Sequence, residues 1–437
     1  MGLPHIVNEY KPIDPTTMGD ADDYADETDG VSKKVRRTVE AFLGSEHIVD
    51  IPLSAPRYYC DLAAWALQRQ REECGWKVEQ VLGCGLGQAR YASVSVAPGK
   101  QEVLLQAGLV FLRRRGVKLA VKLDLDPTEK ADVVVSAAAG QRGHAQAFAS
   151  ALETRLNEKK LYKGAKIEYS GTMTFLELAE QSWDDISVPE DTKHAIFAHT
   201  TRFLEWAPRL EPHGVSPRRG LLLTGKPGTG KTLVCKVLMN TSPGVTCIVA
   251  HTAYMMHPLY IDELYKVAAD LSPTIVFLED IDLIGQGRLR SGYGMADALS
   301  RLLFALDGVR DCRNVVTIAT TNWLEILDEA LKDRPSRFDR VITIDPPDAE
   351  QRRNYLNYLA RRIPLPTAVV EHLVQSTAGM TPAQIQEVVH CAAIESTVSP
   401  DAPDYWDTVF AAPAVEAALR NVKHGAGKVG FEQRRSG

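Results

Sequence analysis

The sequence predicts an α/β protein: a parallel sheet sandwiched by helices, a helical lid behind it, and a separate α+β domain in front. Three observations carry that prediction. An apolar, strand-like run over 220–224 enters a glycine-rich loop and leaves as a helix over 233–240. Strand and helix patterns then alternate over 247–250, 262–271, 274–278, 295–306 and 315–320, the rhythm of a parallel sheet with helices on both faces. From Asp348 onward only helical periods remain, at 350–362, 368–376, 382–398 and 414–422, and Thr381-Pro382 offers an N-cap followed by a first-turn proline.

The bulk numbers bound the rest. At 437 residues the chain has room for two or three domains with their own cores. Its 45% apolar and 24% charged residues are those of a soluble globular protein, and the net charge of −6 argues against a surface built for nucleic acid. No stretch approaches the ~20 apolar residues of a membrane span. Met1 to Tyr10 contains no basic segment ahead of an apolar core, so no secretory signal is expected. Seven cysteines, scattered and without C-x-x-C spacing, suit a reduced cytoplasmic protein without disulfides or zinc.

Residues 1–32 hold few large apolar groups and the acids Asp20, Asp22, Asp23, Asp26, Glu27 and Asp29, the composition of a disordered tail. Residues 33–175 read as an independent α+β recognition domain, with helices over 34–43, 58–73 and 145–159 and strands over 91–96, 102–112, 117–125 and 133–137. Within it, the glycines of Gly83-Cys84-Gly85-Leu86-Gly87 precede no helical pattern and mark a turn. Arg113-Arg114-Arg115-Gly116 fits a solvated hairpin loop. The large unit of the parallel sheet follows over 176–345, the lid over 346–424, and a flexible tail over 425–437. There are no internal repeats.

The chemistry begins at Gly225-Lys226-Pro227-Gly228-Thr229-Gly230-Lys231-Thr232, the P-loop pattern G-x-x-x-x-G-K-[ST] between a strand and a helix. Glycines let successive N–H groups point inward at phosphate oxygens, and the next helix adds its positive N-terminal end. Lys231 then reaches the β- and γ-phosphates and Thr232 offers a hydroxyl to Mg²⁺. Residues 275–278 form a short apolar strand ending in Glu279-Asp280-Ile281-Asp282, which puts carboxylates where Mg²⁺ and an attacking water need them. A second strand over 315–320 ends at Thr321-Asn322, whose amide can orient that water. Arg334, Arg337 and Arg340 share one loop, and guanidinium groups stabilise charge spread over phosphoryl oxygens.

Taken in order, these motifs resemble an AAA-family ATPase over about residues 181–422. Trp183-Asp184-Asp185-Ile186 is similar to the segment that clasps adenine, Gly225–Thr232 to Walker A with Lys226 where the family usually has proline, and Leu303, Leu306, Asp307 and Gly308 to the helix before sensor 1. Asn322 matches sensor 1, and Arg337 and Arg340 match the arginine-finger positions. One extra residue before Arg334 leaves open which arginine acts. The resemblance implies ATP and Mg²⁺ as cofactors, with ATP held by Asp185, Ile186, Gly225, Pro227, Gly228, Thr229, Gly230, Lys231, Thr232 and Leu233. It also implies a homo-oligomeric ring, a hexamer, that remodels, unfolds or disassembles a protein substrate. The arginines lie too far along the fold to serve their own nucleotide and would complete a neighbour's site.

Two departures matter. Family members carry Asp-Glu where this chain has Glu279-Asp280, the order found in the membrane-anchored AAA translocase of the mitochondrial Rieske protein. Glu279 is then expected at the Mg²⁺ shell and Asp280 as the base. Ala253-Tyr254-Met255-Met256-His257 stands where the family threads polypeptide with an aromatic–hydrophobic–glycine loop, but without the glycine. Tyr254 and Met255 are the expected grip, with Tyr254 packed in the core or on a neighbouring subunit as the competing role. No H-E-x-x-H motif is present, so no fused metalloprotease is expected, and His372, His390 and Cys391 read as core or surface groups. Pro382-Ala383-Gln384 resembles the subgroup without a sensor-2 arginine, which favours protein remodelling. A nucleotide-gated switch or scaffold with slow hydrolysis is a second function class, and a nucleic-acid motor a third that no basic-aromatic stripe supports.

Overall fold

The computed structural model describes residues 21–186, 188–255, 258–282, 302, 312–323, 338–394, 401 and 409–425. They fall into two compact units that divide near Glu158, with residues 95–100 grouped with the second.

The first unit runs α1 (Ala21–Leu43), β1 (Ile48–Pro56), α2 (Cys60–Glu73), β2 (Lys77–Leu82), β3 (Arg90–Ala97), β4 (Lys100–Arg114), β5 (Val117–Leu125), β6 (Lys130–Ala138) and α3 (Arg142–Glu158). Its strands form an antiparallel sheet in the order β1-β6-β5-β4-β2, with β3 also on β4. Period-two alternation sets the layers. Val39 and Leu43 of α1 pack on Leu109, Phe111 and Ala120 of one face. Ala64 and Leu67 of α2 meet Val110 and Leu112 of the other.

Helix α1 begins at Ala21, inside the segment expected to be disordered. Acidic residues near a helix N-terminus complement its dipole, so the same composition serves either state. The arginine-rich hairpin is a two-residue turn, with Arg115 at φ 48° and Gly116 at φ 84°.

The second unit runs β7 (Lys166–Tyr169), β8 (Met173–Phe175), α4 (Glu190–His199), α5 (Thr201–Leu210), β9 (Arg218–Thr224), α6 (Lys231–Asn240), β10 (Thr246–Ala250), α7 (Thr252–Met255), α8 (Pro258–Asp270), β11 (Thr274–Leu278), β12 (Val315–Thr321) and β13 (Arg340–Thr343). The lid follows as α9 (Ala349–Ala360), α10 (Thr367–Ser376), α11 (Pro382–Ile394) and α12 (Ala412–Gly425). The sheet order is β13-β9-β12-β11-β10-β7-β8, parallel throughout except for β8. The domain boundary expected at residue 175 is therefore corrected: β7 and β8 belong to the parallel sheet, through Cys247↔Lys166 and its successors. Strands of four and three residues are too short to show a period.

Ile196 of α4 and Phe203, Leu204 and Ala207 of α5 join the core beneath the sheet, beside Val234 and Leu238 of α6. The lid has its own core, centred on Leu356, Leu373, Ile385 and Ala418. Buried Arg352 ties its first two helices to the preceding chain, donating to the carbonyls of Val374 (2.9 Å) and Pro347 (2.8 Å). Among the described residues no helix is long and apolar enough to cross a membrane.

Candidate active site

The loop between β9 and α6 is shaped for anions. Gly225, Gly228 and Gly230 adopt φ of 149°, 79° and 103°. A Cβ on Gly225 would lie 2.3 Å from the Ile344 carbonyl oxygen, so both the dihedral and the space demand glycine there. Lys231 opens α6, is 7% exposed, and donates from Nζ to the carbonyls of Gly225 (2.7 Å) and Lys226 (3.0 Å). The Lys226 carbonyl also accepts the Thr229 hydroxyl at 2.9 Å. Burial pushes the Lys231 pKa down, and Asp280 and Asp282 oppose that shift. Both of these hydrogen-bond partners are neutral carbonyls, which a polyphosphate can displace. Thr232 stands exposed beside it, and Leu233 packs on the core.

Two acids follow β11. Burial, and next the neighbouring Asp280, raise the Glu279 pKa, while Lys236, His251 and a hydrogen bond with Thr232 lower it. Thr232 and Glu279 thus bring two hard oxygen donors together beside the phosphate loop, a fit for Mg²⁺. Asp280 sits at φ 51°, a left-handed conformation that costs a non-glycine residue about 1–2 kcal/mol. Its N–H donates to Thr320 Oγ1 (3.0 Å), and the next N–H, of Ile281, donates to the Thr320 carbonyl (3.0 Å). Its Oδ1 accepts from Asn322 Nδ2 at 3.0 Å. Lys231, Thr232, Glu279, Asp280 and Asn322, all expected from sequence, therefore meet at the carboxyl edge of β9, β11 and β12.

Sequence reasoning missed the support beneath them. Asp282, 3% exposed, accepts the Thr321 hydroxyl (3.0 Å) and the Asn322 N–H (3.3 Å). The third acid of Glu279-Asp280-Ile281-Asp282 was its signal, since an acid this close to an apolar strand needs buried donors. Asp282→Ala is expected to lower stability by about 1–3 kcal/mol through those unpaired donors, and to slow any reaction that uses Asn322. Thermal denaturation beside steady-state kinetics checks both.

The remaining expected residues are more dispersed. Asp185 closes a capping box, accepting from the Ser182 N–H at 2.7 Å, and Ile186 is buried in the core. Asp184, Ile186 and Val188 face Asn354, Asn357 and Tyr358 of α9 across a cleft of about 600 Å³. The lid also touches the phosphate loop: a Cβ on Gly228 would lie 2.8 Å from that of Ala383, whose N–H points to the Gly228 carbonyl at 3.3 Å.

Arg340 is exposed and opens β13, opposite Leu221 in the register that ends at Thr343↔Thr224. It begins about 13 Å back along the sheet from the phosphate loop, four residues at the strand rise. Arg334, Arg337, Leu303, Leu306, Asp307 and Gly308 lie outside the described residues, as do Met256 and His257.

Tyr254 is 44% exposed, but Met255 is fully buried, which corrects the expectation of a paired grip. Successive residues in a helical turn point about 100° apart, so α7 turns one outward and the other into the core. In the lid, His372 pairs with Glu416 (2.9 Å) and the Cys391 thiol with Glu387 (3.4 Å), separate contacts rather than a shared centre.

Residues 221–346 match the family described as ATPase family associated with various cellular activities (AAA). The chain carries an AAA ATPase module. ATP with Mg²⁺ is the cofactor pair of that module, and the loop, the two acids and Asn322 all lie within the matched residues. An ATP-dependent zinc metalloprotease FtsH 2 of Sphaerobacter thermophilus is 34% identical over 253 residues, 54% of this chain and 38% of the relative. Protein SAV of Sulfolobus acidocaldarius is 34% identical over 225 residues, 49% of this chain and 28% of the relative. The mitochondrial ATP-dependent zinc metalloprotease FTSH 3 of Arabidopsis thaliana is 34% identical over 224 residues, 48% of this chain and 27% of the relative. The chain thus spans well under half the length of the curated relatives it matches.

Proposed function

We propose that the protein is an ATP-driven motor that assembles as a homo-oligomeric ring, a hexamer, and remodels or unfolds a protein substrate. The observation that carries the hydrolytic part is the 3.0 Å contact between Asp280 and Asn322 beside the Lys231 loop. An acid and an amide held together at that point suit a water lined up on a γ-phosphate. Asp280 takes the proton of that water, and Asn322 fixes the carboxylate's orientation. Thr232 and Glu279 would hold Mg²⁺, which would supply charge neutralisation for the phosphates. Lys231 releases its two carbonyls and binds the same oxygens. The cleft between Ile186 and Tyr358 has the size of a small-molecule site and suits the base.

The place of Arg340 supports the ring. An arginine at the first residue of β13, the end away from the phosphate loop, is poorly placed for its own phosphates and well placed to complete a neighbour's. Tyr254, exposed in the single turn of α7, is the proposed polypeptide contact. The first unit would recognise the client, and seven cysteines outside any disulfide suit a reducing compartment such as the cytoplasm.

Steady-state ATP turnover with and without casein, an unstructured polypeptide, tests this reading. Stimulation by casein that disappears in Tyr254→Ala is the expected result. Slow turnover indifferent to casein would instead favour a nucleotide-gated switch.

A further inference from the structure

We infer that the β7–β8 hairpin is a positioning brace: Glu168 holds His251, and His251 links Tyr254 to the acid Glu279. This rests on the proposed roles of Tyr254 and Glu279. The observations come from four sides of one residue. His251 Nε2 lies 2.8 Å from Glu168 Oε1. His251 follows Ala250, which pairs with Leu278 directly before Glu279, so the imidazole and the acid leave neighbouring strands at the same edge. The Glu279 carboxyl is within electrostatic reach of His251. The His251 carbonyl accepts the N–H groups of Tyr254 (3.0 Å) and Met255 (3.3 Å), so the turn that presents Tyr254 hangs on the same residue.

The hairpin also supports the far side of that turn. Tyr254 meets Tyr260 edge-on, with centroids 6.2 Å apart. Gly171, between β7 and β8 at φ 88°, abuts Tyr260, where a Cβ would lie 3.2 Å from the ring. Tyr169 donates its hydroxyl to Glu263 of α8 at 3.0 Å. A load on Tyr254 is therefore shared between the hairpin and His251, and moving His251 moves what faces Glu279. The pair is partly solvated, 58% and 31% exposed at the side chains, so such a contact adds little to stability. Its effect belongs in coupling.

The test uses the full chain with ATP, Mg²⁺ and casein as the polypeptide probe. Glu168→Ala is expected to keep basal kcat and the KM for ATP within about twofold, as loss of a solvated pair implies. Casein stimulation is expected to fall about fivefold, the low end of a coupling between two sites. Glu168→Gln, which keeps an acceptor for His251, restores most of it. The brace is refuted if Glu168→Ala is stimulated like the unsubstituted protein, or if its basal turnover falls in the same proportion. If casein fails to stimulate the unsubstituted protein, the remodelling reading falls first and takes the brace with it.

Discussion

Asp280→Asn is expected to leave ATP binding unchanged and to cut kcat by about 10²–10⁴-fold, the usual contribution of a positioned base. The substitution keeps the shape of the side chain and its contact to Asn322, and removes only the capacity to take a proton. Binding of a fluorescent ATP analogue beside single-turnover hydrolysis separates the two effects. Undiminished turnover would remove Asp280 from the chemistry. Glu279→Gln should behave differently, because it weakens a proposed Mg²⁺ ligand. Its deficit should shrink as Mg²⁺ is raised, whereas that of Asp280→Asn should not. This contrast matters because the two acids stand in the reverse of the usual family order. Glu279 meets Thr232, and Asp280 meets Asn322, so each acid reaches a separate partner from its own backbone position.

Replacing Arg337 and Arg340 together with alanine is expected to lower kcat by about 10³–10⁵-fold, the range for a guanidinium that stabilises transferring phosphoryl charge. Nucleotide affinity of the isolated chain should change little. Arg340 starts a strand that enters the sheet opposite Leu221, well behind the loop that begins at Gly225. Asp339 fixes that start, accepting the Gly220 N–H at 2.7 Å. The start of this strand is therefore held on the sheet, with Arg340 away from its own phosphate loop. Loss of turnover with intact assembly, followed by sedimentation and kinetics on the same sample, is the expected pair of results.

How far the sequence could be read follows from the range of the interactions involved. The phosphate loop was legible because its constraints are local: Gly225, Gly228 and Gly230 serve dihedrals within one turn of chain. Glu279, Asp280 and Asn322 were legible because polar residues at the ends of apolar strands must meet at one edge of a parallel sheet. Strand β1 was hidden by Pro52 and Pro56, which only an edge strand tolerates, and it pairs on one side alone, with β6. Helices α4 and α5 were not among the expected helices, and Pro208 interrupts the pattern in α5. Asp282 with Thr321, and Glu168 with His251, are pairings across distant segments that no local pattern announces. Met255 was misread because a short motif says which residues are adjacent, and burial depends on which way the turn faces.

Mixing two inactive proteins probes the shared site most directly. One carries Asp280→Asn with its arginines intact; the other carries alanine at Arg337 and Arg340 with its acids intact. In randomly mixed rings, about a quarter of the interfaces pair a sound acid with a sound arginine, because each contact joins two different surfaces. ATP turnover should then return to a mixture whose components have almost none. A mixture that co-assembles yet stays as inactive as its parts would contradict the account.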